Sequence, residues 1–192
     1  MNKMRWALFG VSLVVLIVLV IIFFRGEGQE KIKPAAALSP SEKVPAREQP
    51  GEIKFVTLFF LSDEDGRFHR EQRRIAAGPS VIQDAEEVVE DLISGSEKGF
   101  ISCLPPETKL RQLFVTKDGT AYVDFSKELS EKLSPGSSSE LAAVYSVVNS
   151  LAYNFAQIKK VFILIEGGEK ETLGGHVSLS RAFAPFYSLN VE

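Results

Sequence analysis

Five consecutive apolar residues of high β-propensity, Val161-Phe162-Ile163-Leu164-Ile165, are followed at once by Glu166 and the pair Gly167-Gly168. A run this short and this apolar reads as a central strand with a tight exit, because the glycines free the backbone to turn directly after it. A second short segment, Thr172-Leu173, precedes another pair, Gly174-Gly175, and then His176. Paired glycines mark backbone geometry, either positive φ or close approach, more often than they mark chemistry. The rest of the chain has to supply the layers that bury this strand.

Those layers are legible as alternating periods. Ile53 to Leu61 is a β-rich run, and Asp63-Glu64-Asp65-Gly66 after it is a turn from which Arg67 to Ile75 returns as a polar strand. The acidic triplet is a hairpin tip; a calcium loop would need further oxygen ligands where Arg67 and Phe68 stand. From Ser80 to Ser94 the apolar residues Val81, Ile82, Ala85, Val88, Val89, Leu92 and Ile93 recur at helical spacing. Ser80 and Gln83 form a capping box and Gly95 the C-terminal cap. Asp84, Glu86, Glu87, Glu90 and Asp91 fall mostly opposite, as a solvated face or an acidic docking surface. Lys109 to Thr116 and Ala121 to Phe125 flank the turn Lys117-Asp118-Gly119-Thr120, the clearest hairpin in the chain. Ser126 to Leu133 is a short helical turn. Ser139 to Phe155 forms a second long helix with a stripe of Leu141, Val144, Tyr145, Val148, Leu151, Ala152 and Phe155. A short strand closes the order. The class is therefore α+β, a mixed or antiparallel sheet with two amphipathic helices packed on one face.

Ahead of this body, the 19 residues from Trp6 to Phe24 carry no charge. As a helix they would span roughly 28 Å at ~1.5 Å per residue, the thickness of a hydrocarbon core. This predicts a transmembrane signal anchor in residues 1–25 in preference to a cleaved signal peptide, whose apolar region would be shorter. The basic residues on the two sides nearly balance, so orientation rests on the usual arrangement of such anchors: a short cytoplasmic tail, the membrane as a partner, and an extracytoplasmic domain at residues 52–192. Residues 26–51 have four prolines and no aromatic residue, and read as a tether.

Chemistry is hard to find. Phosphate-binding loops, dinucleotide fingerprints, nucleophile elbows and zinc-protease helices are absent from the sequence. The net charge is −3 and becomes more negative without Lys3, Arg5 and Arg25, which argues against nucleic acid as a partner. Cys103 is the single cysteine. It excludes an intrachain disulfide, a multi-cysteine metal site and a lipid-bearing cysteine beside the apolar leader, and its apolar neighbours predict a buried, inert thiol. His69 and His176 read as structural or surface residues.

The ordered set Leu58-Phe59-Phe60, Leu104-Pro105-Pro106-Glu107-Thr108, Val123-Asp124-Phe125-Ser126 and Glu171-Thr172-Leu173-Gly174-Gly175-His176 resembles the GerM domain of sporulation and spore-germination proteins, in a single copy over roughly residues 53–179. The resemblance implies a membrane-tethered, non-catalytic α+β domain with no cofactor and no metal. It also implies a fold akin to ring-building envelope modules, and so a protein partner or a second copy of itself. The motif residues Pro105, Pro106, Asp124, Thr172, Leu173, Gly174, Gly175 and His176 are then structural or interface positions. On the structural reading the glycines make a tight turn that His176 caps, and Asp124 accepts from backbone donors. On the other, the same loop faces a partner, with His176 making association pH-dependent. A ligand-sensing module for a small molecule or cell-wall fragment is the alternative function, motivated by Phe59, Phe60, Phe183, Phe186 and Tyr187. An envelope hydrolase using Asp63, Glu64 or Asp124 lacks a partner base.

Overall fold

A computed structural model describes residues 52–190. Strands β1 (Ile53–Leu61) and β2 (Phe68–Ala76) form an antiparallel hairpin, followed by helix α1 (Val81–Ser94). Strands β3 (Leu110–Val115) and β4 (Thr120–Phe125) form a second hairpin, and a single turn, α2 (Glu128–Glu131), leads into the long helix α3 (Ser137–Asn154). Strand β5 (Lys160–Ile165) then pairs parallel to β4, and a 3-10 turn (Tyr187–Leu189) lies near the end of the described chain.

There are two sheets where one was expected: β1-β2, and the mixed sheet β3-β4-β5, in which β5, expected at the centre, is an outer strand that buries only alternate residues. The sheets share one core. Val56, Leu58 and Phe60 of β1, Ala121, Val123 and Phe125 of β4, and Val161 and Ile163 of β5 meet α1 through Ala85, Val88, Val89 and Leu92, and α3 through Val144, Val147, Val148 and Leu151. Alternate residues of β1 and β4 therefore face inward, as a pleated strand with one covered face requires.

The sheets stay separate because α3 occupies the far edge of β1. Ser150 Oγ accepts from Phe59 N–H at 3.0 Å and Ser146 Oγ donates to Phe59 C=O at 2.9 Å. One turn further on, the Asn154 side chain accepts from Thr57 N–H at 2.9 Å and donates to Thr57 C=O at 2.7 Å. Helix side chains thus satisfy the backbone groups that a neighbouring strand would otherwise pair.

Local chemistry sets the ends of α1 as its sequence predicts: Ser80 is the N-cap and accepts from Gln83 N–H, and Gly95 ends the helix at φ 90°. Helix α3 begins earlier than expected, with Gly136 and not Ser139 at its N-cap; the Ser139 hydroxyl bonds back to Ser134 C=O and Gly136 C=O. In place of the expected closing strand, the described residues after 180 make isolated bridges, Phe183 with Val161 before the 3-10 turn and Asn190 with Phe68 after it.

The expected membrane-spanning helix from Trp6 to Phe24, and the tether after it, lie outside the described residues. Among the described residues no helix is long and apolar enough to cross a membrane. The physical reason is plain in the two long helices: α1 has 14 residues with one acidic face, and α3 has 18 but carries Glu140, Ser146, Asn149, Ser150 and Asn154, whose side chains bond within the protein. The fold assignment is corrected accordingly to an α+β body, with no transmembrane helix among the described residues. The signal anchor, the membrane as a partner and the single-pass, extracytoplasmic localisation built on it are withdrawn.

Candidate functional site

The loop Thr172 to Val177 folds around one carboxylate. Glu140, in the first turn of α3 and 1% exposed, accepts from Val177 N–H at 2.7 Å and His176 N–H at 3.1 Å through Oε2, and bonds His176 Nδ1 at 2.8 Å through Oε1. Burial pushes its pKa up, but the donors from Val177, the His176 ring and Gly174 outweigh it, and the group is lowered to about 2. Its place near the start of a helix adds a favourable dipole. The loop closes on itself through Leu173 N–H to Val177 C=O at 2.9 Å and a bridge between Thr172 and Ser178. Leu173, fully buried, drops into the main core.

This geometry explains the residue types of the motif. A Cβ on Gly174 would stand 2.9 Å from Glu140 Oε1, so only glycine admits the carboxylate here. Gly175 has φ 116°, a left-handed conformation that a side chain disfavours. His176 keeps an exposed ring while its backbone and Nδ1 both face Glu140.

Asp124 belongs to a second cluster at the exit of β5. Its Oδ1 accepts from Gly167 N–H at 2.7 Å and its Oδ2 from Arg111 Nε at 3.0 Å. Arg111 also donates to Glu166 at 2.6 Å, and Glu166 accepts from Lys127 N–H at 2.9 Å. Glu166 and Gly167 both have positive φ, 54° and 78°, and Ile165 and Gly168 exchange backbone hydrogen bonds across them. This is a two-residue hairpin turn of the primed type, with its exposed non-glycine residue held by the Arg111 guanidinium.

Pro105 and Pro106 stand apart from both clusters, in a turn closed by Thr108 N–H to Pro105 C=O at 3.0 Å, beside buried Cys103. Burial pushes the Cys103 thiol pKa up. The eight motif positions therefore gather into one loop around Glu140, one turn around Asp124, and one proline turn, and they do not converge. Among the described residues no group of three or more His, Cys, Asp or Glu side chains could hold a metal ion.

The aromatics singled out from the sequence do not converge on a pocket either. Phe60 lies in the main core, and Phe59 lies in a smaller cluster with Phe68, Cys103 and Ala142. Phe183 and Phe186 pack on Tyr145 of α3. Glu140 is the residue that sequence reading passed over; its one signal was an acid in the first turn of a helix, with its partners 36 residues away.

The Germane family, described as sporulation and spore germination, matches residues 57–171. Among solved structures, the tandem GerMN domains of the sporulation protein GerM from Bacillus subtilis superpose with a TM-score of 0.58 at 24% identity. That match covers 69% of this chain and 46% of the tandem chain, so this chain spans just under half of that structure's length. The first GerMN domain of the same protein, taken alone, gives 0.53 at 24% identity, covering 68% of this chain and 97% of that one. At this identity the structures speak for the fold. No curated protein sequence matches significantly.

Proposed function

The chain belongs to the Germane family of sporulation and spore germination, and from that membership we propose that it is a non-catalytic module that holds another protein in an assembly of the sporulation or germination type. The observation that supports this reading is the arrangement around Glu140. The most distinctive motif of the chain, Thr172 to His176, directs its donors at a buried structural carboxylate and leaves no convergent set of acid, base and electrophile. The motif builds a rigid loop, and a rigid loop on an α+β body is a platform for recognition.

The test uses the full-length chain. Cross-linking and affinity capture from cells of the source organism, followed by reconstitution with the purified captured protein, is expected to give a stoichiometric complex. Purified chain that turns over wall polymers, or that captures no protein under conditions where its fold is intact, overturns the reading.

A further inference from the structure

We propose that the outer face of the β1-β2 hairpin, running from Tyr187 and Tyr153 through Arg70 to Phe55 and Arg74, docks an extended acidic segment of the partner protein. The proposal rests on the protein-binding function above and assigns it a surface and a partner chemistry.

Strand β1 sends Val56, Leu58 and Phe60 into the main core and Phe55, Thr57 and Phe59 to the opposite face. At one end that face is covered: Tyr153 packs edge-on against Phe59 with centroids 5.4 Å apart, and Tyr187 from the 3-10 turn lies 6.4 Å from Phe59. Asn149 fixes this cover by accepting from Phe186 N–H at 2.9 Å and donating to Asn190 at 3.2 Å. At the other end the face is open, with Phe55 70% and Ile53 59% exposed.

Strand β2 lays cations along the same face. In the hairpin register Arg70 opposes Phe59, Gln72 opposes Thr57 and Arg74 opposes Phe55. The Arg70 guanidinium sits 5.3 Å from the Tyr153 ring centroid and 6.0 Å from that of Phe59, within cation-π range. Among the described residues, neither Arg70 nor Arg74 has a carboxylate within 4.0 Å. The neighbouring Arg73 differs: it points to the other side and contacts Glu71, Asp91 and Glu97. An open groove of about 470 Å³ lies along the β2 side of this face, between Phe55, Gln72 and Arg74 and the Arg73 cluster with Asp91 and Glu97.

In a chain with an acid excess, two unmatched arginines on an aromatic strip call for carboxylates from elsewhere. They are four residues apart on one strand, about 13 Å at ~3.3 Å per residue, so an extended segment with acids at the same spacing meets both. Gln72 between them offers both a donor and an acceptor to its backbone. Tyrosine, phenylalanine and arginine are also residues enriched at protein interfaces, tyrosine and arginine most of all where partners bind strongly. Phe55 and Tyr187 lie outside the family match over residues 57–171, so the strip includes residues beyond the shared family region.

The probe is a labelled peptide, Glu-Thr-Tyr-Thr-Glu-Thr-Tyr, titrated with the full-length chain by fluorescence anisotropy beside a copy with lysine in place of glutamate. The glutamate peptide is expected to bind, to weaken as salt is raised, and to weaken at least about fivefold with R70E/R74E, while the lysine peptide does not bind. R74E alone, which leaves the Arg70–Tyr153 contact in place, is expected to weaken binding with no change in melting temperature. No binding, equal binding of the two peptides, or full binding by R70E/R74E overturns the proposal. So does concentration-dependent self-association that R70E/R74E abolishes, since the occupant is then a second copy. Capture of the partner by R70E/R74E as efficiently as by wild type removes this surface and leaves the protein-binding function standing; failure of all capture removes that function itself.

Discussion

Gly174 and Glu140 are in contact at the limit of what the backbone allows: a methyl group on the glycine would lie 2.9 Å from the carboxylate oxygen. The oxygen cannot retreat freely, because the same carboxylate is held by Val177 N–H and both nitrogens of His176 that face it. Gly174→Ala is therefore expected to destabilise the fold by about 1–3 kcal/mol, the cost of overpacking a tight contact. The measurement is a double-mutant cycle by denaturant melting. In an E140A background the same glycine change is expected to cost less than ~0.5 kcal/mol, and additive costs would show that the contact is not the cause.

Glu140 also couples stability to acid. Its folded pKa is about 2, below the ordinary glutamate value of 4.5, so the folded state holds the ionised form more strongly than the unfolded chain does. A depressed carboxyl contributes stability that is complete above about pH 4.5 and disappears as the pH falls through about 2, worth up to roughly 3 kcal/mol. Wild-type melting curves between those two pH values are expected to show this loss, and E140Q is expected to lack that part of the slope. Identical slopes for both proteins would place the acid sensitivity elsewhere.

His176 adds a ring hydrogen bond to a loop already tied by backbone donors. H176A is expected to cost about 0.5–1.5 kcal/mol, clearly less than E140A, because the two backbone bonds survive. Melting temperatures of the two variants, measured with their sedimentation behaviour, decide the point. A change in self-association without a change in stability would move His176 from a structural to an interface role.

The β1 edge makes the strongest case for helix-to-strand bonding. N154A removes both partners of the Thr57 backbone, and leaving a buried donor and acceptor unmet costs about 1–3 kcal/mol. Hydrogen exchange is expected to show faster exchange at Thr57 N–H in N154A and at Phe59 N–H in S150A, with each effect confined to its own residue. Uniform acceleration along β1 would indicate global loosening.

At the β5 turn, D124N preserves an acceptor for Gly167 N–H and is expected to change stability by less than ~1 kcal/mol, whereas D124A leaves that donor unmet and costs about 1–3 kcal/mol. Added salt is expected to change little, because Arg111 is partly exposed and its pairings are already screened. Thermal melts of the two variants with and without salt check both statements.

What could be read from the residues divides by the range of the interactions involved. The hairpins, the Ser80–Gln83 box and the Gly95 stop are written in neighbouring residues, and they appear where the spacing puts them. So does the α+β class, and so does the family, whose matched span begins and ends inside the expected one. Helix α3 was only half legible. Its expected stripe included Leu141, which is 41% exposed, and omitted Ser146, Asn149 and Ser150, which are buried because they bond to β1 and to the C-terminal segment. Polar residues at helical spacing look like a solvent face until the strand beside them is known. The division into two sheets follows from the same bonds. The membrane-spanning helix was an inference from hydropathy alone, and no helix among the described residues has that character. Glu140 escaped notice because the donors that define it lie on a loop far along the chain.

Ser150 and Asn154 stand four residues apart on the helix, a rise of about 6 Å, and bond Phe59 and Thr57, two residues apart on a strand whose like-facing groups recur at about 6.6 Å, while Ser146 shares Phe59 with Ser150. Helix and strand work as a vernier: their divisions coincide over this short stretch and would drift apart if either were extended. A one-residue insertion between Thr57 and Phe59, or between Ser146 and Asn154, would throw the two scales out of step, whereas the segments joining β1 to α3 can lengthen without disturbing the coincidence. Descendants of this chain are thus free to vary in their connections and constrained in the lengths of these two elements.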